Sequence, residues 1–292
     1  MDGAKGKAMT MTTTMTRFLI ELQRVQNEKD SVLCVGLDPA LPSQRSKDVI
    51  PQSYAILKDE NDARLKFCIH IIEETKEYAC AFKANLHYLS GFRTEDHQAL
   101  TEAIKASGCV SILDCKLNDI SETVQAAIFH FRRWGYDAIT FNPFLGNLEA
   151  VLLASRQETP ELGVLVLTLT SNPEARRYMK ESYYISQGKP LFLAIAEEVK
   201  ALGADGCIVG ATGWVSEEDI RAVRRTIGTD RAILFPGIGA QAGDPEKIVR
   251  AGGEGPLIVN VGRSIMYAQS PKEVAKHYAK SLNALRKDLS FA

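Results

Sequence analysis

Along most of the chain, short apolar runs alternate with longer stretches in which apolar residues recur at helical spacing. The runs are SVLCVGLDP (31–39), ACAFKANLHYL (79–89), CVSILDCKL (109–117), DAITFNPFL (137–145), LGVLVLTLT (162–170), DGCIVGAT (205–212), RAILFPGIG (231–239) and PLIVNVGR (256–263). Each is long enough for one strand and nearly free of polar interruption, the pattern of a sheet buried on both faces. Between them the periodicity predicts helices near 15–29, 66–79, 95–107, 121–134 and 271–288, with helical patterns in the remaining gaps. Residues 40–65, which hold Pro42, Pro51 and many charges, read as an inserted loop with some helix.

Strands that alternate with helices make parallel βαβ units. Eight units in about 260 residues fit a single closed (β/α)8 TIM barrel with an N-terminal helical extension. An open doubly wound sheet is the second reading. It lacks its fingerprint, because GIGAQAG (237–243) is one residue too long and follows the seventh run rather than the first. The expected division is a disordered leader over 1–16 and one barrel domain over 17–292. The leader is rich in Thr and Met, has no apolar core of a secretory signal and no arginine before Arg17, so it does not read as a targeting sequence.

Charge and composition narrow the partners. Among 292 residues, 35 Lys and Arg face 36 Asp and Glu, which leaves no basic footprint for a nucleic acid. No apolar run approaches the ~20 residues of a membrane helix. Six cysteines without a C-x-x-C pair suit a reducing cytoplasm, and five histidines without ligand spacing give no support to a metal site.

Candidate chemistry gathers at the ends of the apolar runs. Lys83 and Asn85 are two apart, as are Asp114 and Lys116, so each pair shares a face; the apolar neighbours of each pair suit the helix layer. That turns the polar pairs inward at the C-terminal rim, where barrel enzymes build their sites, and Asp38 belongs to the same rim. Lys83, Asp114, Lys116 and Asp119 supply two charges of each sign and can neutralise one another. A purely structural ion-pair network is the plainer reading of the same residues. Flanking carboxylates keep the lysines protonated, so Lys116 is expected to stabilise developing negative charge and donate a proton, rather than form a Schiff base. PGIGAQAGD (236–244) and VNVGRS (259–264) end the last two strands, the usual phosphate position in such barrels. Glycine N–H groups, the start of the next helix, Gln241 and Arg263 make a candidate phosphate grip, against the simpler reading of turn glycines. TSNPEARRYMKESYYISQGKP (170–190) is too long for an ordinary strand–helix loop and reads either as a lid or as a surface excursion with a helical turn.

ILDCKLNDISETV resembles the signature of the orotidine 5′-phosphate decarboxylase family, D-x-K-x-x-D-I-x-x-T, with every fixed position filled. GLDP, FKAN, TSNP, PGIGAQ and NVGR continue the resemblance in family order across 30–265. Ser121 stands where the family usually has Gly, Ala or Pro, a change among small residues. The resemblance implies a (β/α)8 barrel that decarboxylates orotidine 5′-monophosphate to uridine 5′-monophosphate, the last step of UMP synthesis, without metal or organic cofactor. It implies that Lys83, Asp114, Lys116 and Asp119 form the charged tetrad, with Lys116 the proton donor to C6. Asp119, Ile120 and Thr123 would serve the neighbouring subunit's site, which makes the enzyme a homodimer. Asp38 and Asn85 would contact the ribose and Ser171 the base, while Pro236, Gln241, Gly262 and Arg263 would belong to the phosphate grip. Two alternatives stay open. One is a Mg²⁺-dependent relative acting on a sugar phosphate, which would need an acid on the second strand where Lys83 stands. The other is a non-catalytic barrel that senses nucleotides.

Overall fold

All eight apolar runs form strands in the computed structural model, which describes residues 15–55, 59–157, 159–184, 188–239 and 243–290. The expected leader falls almost wholly outside these residues. In chain order, β1 (Leu33–Leu37), β2 (Ala81–Asn85), β3 (Val110–Leu117), β4 (Ala138–Phe141) and β5 (Gly163–Leu169) come first. A two-residue antiparallel pair follows, β6 (Tyr183–Tyr184) with β7 (Lys189–Pro190). Then come β8 (Gly206–Val209), β9 (Ala232–Ile238) and β10 (Leu257–Val261). The eight long strands are parallel and close into a barrel in chain order, with β10 pairing back to β1. Closure removes both sheet edges, which explains why the strands tolerate almost no polar residue along their length.

The helices are α1 (Arg17–Lys29), α2 (Gln52–Ala55), α3 (Glu60–Thr75), α4 (Thr94–Ala106), α5 (Ser121–Arg133) and α6 (Leu148–Arg156). After them come α7 (Ala175–Met179), α8 (Leu191–Leu202), α9 (Glu217–Ile227), α10 (Pro245–Gly252), α11 (Arg263–Met266) and α12 (Pro271–Ser290). α3 begins at Glu60, well before the expected start near 66. The reason is its cap: the Asp59 carboxylate accepts from the N–H groups of Asn61 and Asp62 at 2.7 and 3.2 Å, and Glu60 and Asp62 favour the positive helix end.

α1 closes the N-terminal end of the barrel. Phe18, Leu19, Leu22 and Val25 are buried, each contributing roughly 1.5–3 kcal/mol. Gly163 makes room for this helix, since a Cβ there would lie 2.7 Å from Cγ of Phe18. Gln26 donates to the Leu257 carbonyl at 2.6 Å, and the Thr16 hydroxyl donates to the Asp205 carboxylate.

Three ladders are irregular, all toward the opposite mouth; the β5–β8 register slips between Leu167↔Ile208 and Leu169↔Val209. Between β3 and β4 the register runs from Leu113↔Ile139 to Leu117↔Phe141, so β3 bulges across Asp114–Lys116. Lys116 takes a left-handed φ of 46°, which a lysine adopts only when its surroundings hold it there. Between β9 and β10 the register slips from Phe235↔Val259 to Ile238↔Val261, around Pro236 and Gly237. Among the described residues no helix is long and apolar enough to cross a membrane, and all six cysteines are free thiols.

Candidate active site

A cleft of about 230 Å³ opens at the C-terminal mouth. Lys83 and Asn85 of β2 and Asp114 and Lys116 of β3 line one side of it. Pro236, Gly262 and Arg263 line the other, and Asp38, just past β1, stands between them. The bulge in β3 changes how Asp114 and Lys116 arrive there: strict alternation fails across the bulge, yet both side chains reach the cleft.

Asp114 is the electrostatic centre. Its Oδ2 lies 2.5 Å from Lys83 Nζ and its Oδ1 lies 2.7 Å from Lys116 Nζ. The Thr140 hydroxyl donates to Oδ1 at 3.0 Å and accepts the Lys116 backbone N–H at 2.8 Å, which pins the bulge. The side chains of Lys83 and Asp114 are 5% and 10% exposed, whereas that of Lys116 is 44% exposed. Burial alone would raise the Asp114 carboxyl, but the two ammonium groups hold it well below the usual carboxylate range. Burial would lower Lys83, but Asp114 and Asp38 push it above an ordinary lysine. Lys83 and Asp114 are therefore both ionised at neutral pH.

Asp119, Ile120 and Thr123 are exposed and do not line this cleft. The chain leaves β3 at Leu117 and turns outward to start α5, carrying Asp119 with it. Its carboxylate accepts from the Ile120 N–H at 2.8 Å, and Asn147 donates to its carbonyl at 2.8 Å. Of the four charges read from the sequence, Lys83, Asp114 and Lys116 meet within the chain, while Asp119 stays outside this cleft, as a residue that serves a neighbouring subunit would. Two lysines and one carboxylate remain, with net charge +1.

Arg263 is partly buried and, among the described residues, pairs with no carboxylate. α11, which it opens, is a single turn, so the helix-dipole contribution expected there is small. Gln241 lies outside the described residues. Ser171 does not line the cleft; it packs on Gly210, where a Cβ would lie 2.7 Å from the Ser171 nitrogen. The 170–190 segment forms α7 and the β6–β7 pair and is tied to the barrel body. Trp214 Nε1 donates to the Asn172 carbonyl at 3.0 Å, Lys180 pairs with Asp219 at 2.7 Å, and Met179 is buried. Among the described residues no group of three or more His, Cys, Asp or Glu side chains is placed to hold a metal.

A family model described as orotidine 5′-phosphate decarboxylase / HUMPS family matches residues 31–278. The chain belongs to this family. An orotidine 5′-phosphate decarboxylase of Paracidovorax citrulli is 34% identical over 288 residues, covering 94% of this chain and 98% of the relative. One of Cupriavidus metallidurans is 36% identical over 271 residues, covering 88% and 92%. Among solved structures, Leishmania donovani OMP decarboxylase superposes with a TM-score of 0.72 at 28% identity, covering 91% of this chain and 98% of that one. Leishmania donovani UMP synthase gives 0.75 at 30% identity; the match covers 94% of this chain but only 57% of that longer one.

In this member of the orotidine 5′-phosphate decarboxylase family, the structure adds cleft residues that sequence reasoning passed over. Asn260 lies on β10 between the two sides of the cleft, nearly buried, with its Oδ1 3.6 Å from Cys34 Sγ. A Cβ on Gly36 would come within 3.1 Å of that oxygen, so the glycine keeps space for the amide. A lone polar residue in the run LIVNV was the available signal. Thr140, the partner of Asp114, was likewise the one hydroxyl in AITF.

Proposed function

We propose that this chain decarboxylates orotidine 5′-monophosphate to uridine 5′-monophosphate by electrostatic stabilisation and lysine protonation of a C6 carbanion. One observation carries the reading: Asp114 is a buried carboxylate held between Lys83 and Lys116, and across the same cleft stands Arg263, which pairs with no carboxylate among the described residues. Family membership supports the substrate, as do the names of the decarboxylase relatives.

On this reading Arg263 and the Gly262 N–H take the phosphate, and Asp38 and Asn85 take the ribose. The family resemblance adds Gln241 to the phosphate and assigns the base to Ser171, which in this structure packs on Gly210 outside the cleft lining. The C6 carboxylate is then set against Asp114 and Lys116. When the C6–carboxyl bond breaks, CO₂ leaves and the electron pair stays on C6, in the plane of the ring, where no carbonyl can delocalise it. The Lys116 ammonium already stands there, so its charge stabilises the pair without reorganisation. Lys116 then transfers a proton to C6 and recovers it from water. Asp114 serves twice: its charge pairs with both lysines and holds Lys83 protonated, and it repels the substrate carboxylate until CO₂ departs. The reading requires neither metal nor organic cofactor.

A second copy of the chain completes the site. Asp119, Ile120 and Thr123 face solvent, and Ile120 is 59% exposed. Phe129, Phe144, Leu145 and Leu153 are also exposed, on α5, after β4 and on α6. These apolar side chains suit burial against a two-fold partner that exchanges Asp119. The cleft of about 230 Å³ is smaller than the ~300–1,000 Å³ of a complete small-molecule site, as an unfinished one should be.

The test is the absorbance loss on adding orotidine 5′-monophosphate to the chelator-treated protein. Lys116→Ala should cut turnover by at least about 10³-fold while uridine 5′-monophosphate still binds. Borohydride with substrate should leave no adduct. A Mg²⁺ requirement, or a trapped adduct on Lys116, would replace this chemistry with another.

A further inference from the structure

Asp38 carries a carboxylate oxygen, Oδ1, that is buried and has no hydrogen-bond partner among the described residues. Its side chain lines the cleft. The Asp38 backbone, in contrast, is gripped from several directions. Its N–H meets Met266 Sδ at 3.1 Å. Its carbonyl accepts the Tyr267 hydroxyl at 2.9 Å, Arg45 Nη2 at 2.8 Å and the Ala40 N–H at 2.9 Å. The Ala40 N–H also donates to the Tyr267 oxygen at 3.2 Å. The Arg45 guanidinium lies 4.7 Å from the Tyr88 ring centre and 5.8 Å from that of Tyr267, while Tyr267 packs on Phe67 at 5.6 Å. Burial pushes the Tyr267 phenol up to about 12, so it remains a donor at neutral pH.

The origin of two of these anchors matters. Met266 and Tyr267 end the single turn that Gly262 and Arg263 begin. The turn is closed by hydrogen bonds from Ile265 and Met266 to the Gly262 carbonyl at 2.9 and 3.0 Å, and from Tyr267 to the Arg263 carbonyl at 3.1 Å. A displacement of Arg263 is thus transmitted through one hydrogen-bonded turn to the carbonyl of Asp38.

We propose that Tyr267 and Arg45 are positioning residues: they lock Asp38 to the turn that carries Arg263, so that the phosphate seat and the ribose-binding carboxylate move as one unit. This rests on the nucleotide reading above, with Asp38 facing a ribose hydroxyl. Neither residue touches substrate. Arg45 comes from the inserted segment after β1 and fills the gap between two tyrosines, where a lysine could not offer the same planar face.

The experiment compares kcat/KM for orotidine 5′-monophosphate and for its 2′-deoxy and 3′-deoxy analogues. Wild type, Asp38→Asn, Tyr267→Phe and Arg45→Met are measured, each with its thermal midpoint. Asp38→Asn should lose its effect on the analogue that lacks the hydroxyl it holds. Tyr267→Phe and Arg45→Met should each lower kcat/KM on the full substrate about three- to tenfold, the worth of one hydrogen bond. Both losses should vanish on that same analogue. The second variant stands alone if the first folds poorly. Equal losses on full and deoxy substrates, with Asp38→Asn behaving as expected, would make the two residues merely structural and overturn the proposal alone. If Asp38→Asn shows no dependence on either hydroxyl, the ribose reading itself falls, and the proposal falls with it.

Discussion

Asp114→Asn removes one charge and almost no volume from the centre of the mouth, and its cost can be worked out from the two lysines it abandons. Lys83 Nζ sits 2.5 Å from the carboxylate with its side chain 5% exposed, so it cannot turn to water. Leaving one partner of a buried pair uncompensated costs about 3–5 kcal/mol. Lys116 is 44% exposed and can swing out, so its share is under ~1 kcal/mol. At ~2–4 °C per kcal/mol for a domain of this size, Asp114→Asn should melt roughly 10 °C below wild type, whereas Lys116→Ala should melt within a few degrees of it. The sign with pH follows. Because the folded Asp114 carboxyl lies below its unfolded value, its stabilisation is present above pH ~4 and is lost as pH falls through the folded value. The variant should lack that acid limb. Denaturant unfolding across pH, read by tryptophan fluorescence, measures both effects. The double variant Lys83→Met/Asp114→Leu should recover most of the stability while remaining inactive, since a well-packed apolar pair replaces the ions. If Asp114→Asn proves as stable as Lys116→Ala, the Lys83 charge is not desolvated and the argument fails.

Three further outcomes are expected. Mixing inactive Lys116→Ala and Asp119→Ala proteins after subunit exchange should restore activity to about one quarter of all sites if Asp119 acts across a two-fold interface; activity staying at single-mutant levels despite exchange would refute the shared site. Arg263→Ala should slow turnover of the nucleotide far more than that of orotidine without its phosphate, because remote binding energy then aligns the site; equal losses on both would make Arg263 structural. His97 stacks on Trp134 at 4.0 Å with its Nδ1 3.0 Å from the Tyr136 hydroxyl, and burial lowers its pKa to about 4. The unfolded state binds the extra proton, so stability should be full above pH ~6.5 and fall by up to ~3 kcal/mol toward pH 4. His97→Phe should flatten that slope, and an unchanged slope would show that another group causes it.

The barrel was legible because closure buries every long strand on both faces, leaving apolar runs such as LGVLVLTLT that no exposed segment would maintain. The positions of Lys83, Asn85, Asp114 and Lys116 followed from the rim of such a barrel. What stayed hidden depended on geometry that local sequence does not encode. No glycine marks the left-handed residue in β3; it is Lys116 itself, held there by a hydroxyl from the next strand. The early start of α3 was masked because its first turn, ENDAR, is charged and offers little apolar periodicity. The grip of Tyr267 on Asp38 joins residues 229 positions apart, a pairing that only closure of the barrel creates. Asp119 shows the opposite limit: three residues from Lys116, it still leaves the cleft, because the strand ends between them.

The closure of the barrel floor by α1 has a consequence for how this barrel can be attached to other things. Thr16, at the start of α1, bonds to Asp205 just before β8, and Asn283 and Lys287 of α12 bond to Asp30 just before β1. Both ends of the described barrel therefore emerge on the face opposite the catalytic mouth. A surface tether attached beside Thr16 or Lys287 holds the barrel by its floor, away from the cleft. For immobilisation, the floor closed by α1 is the place to hold this protein.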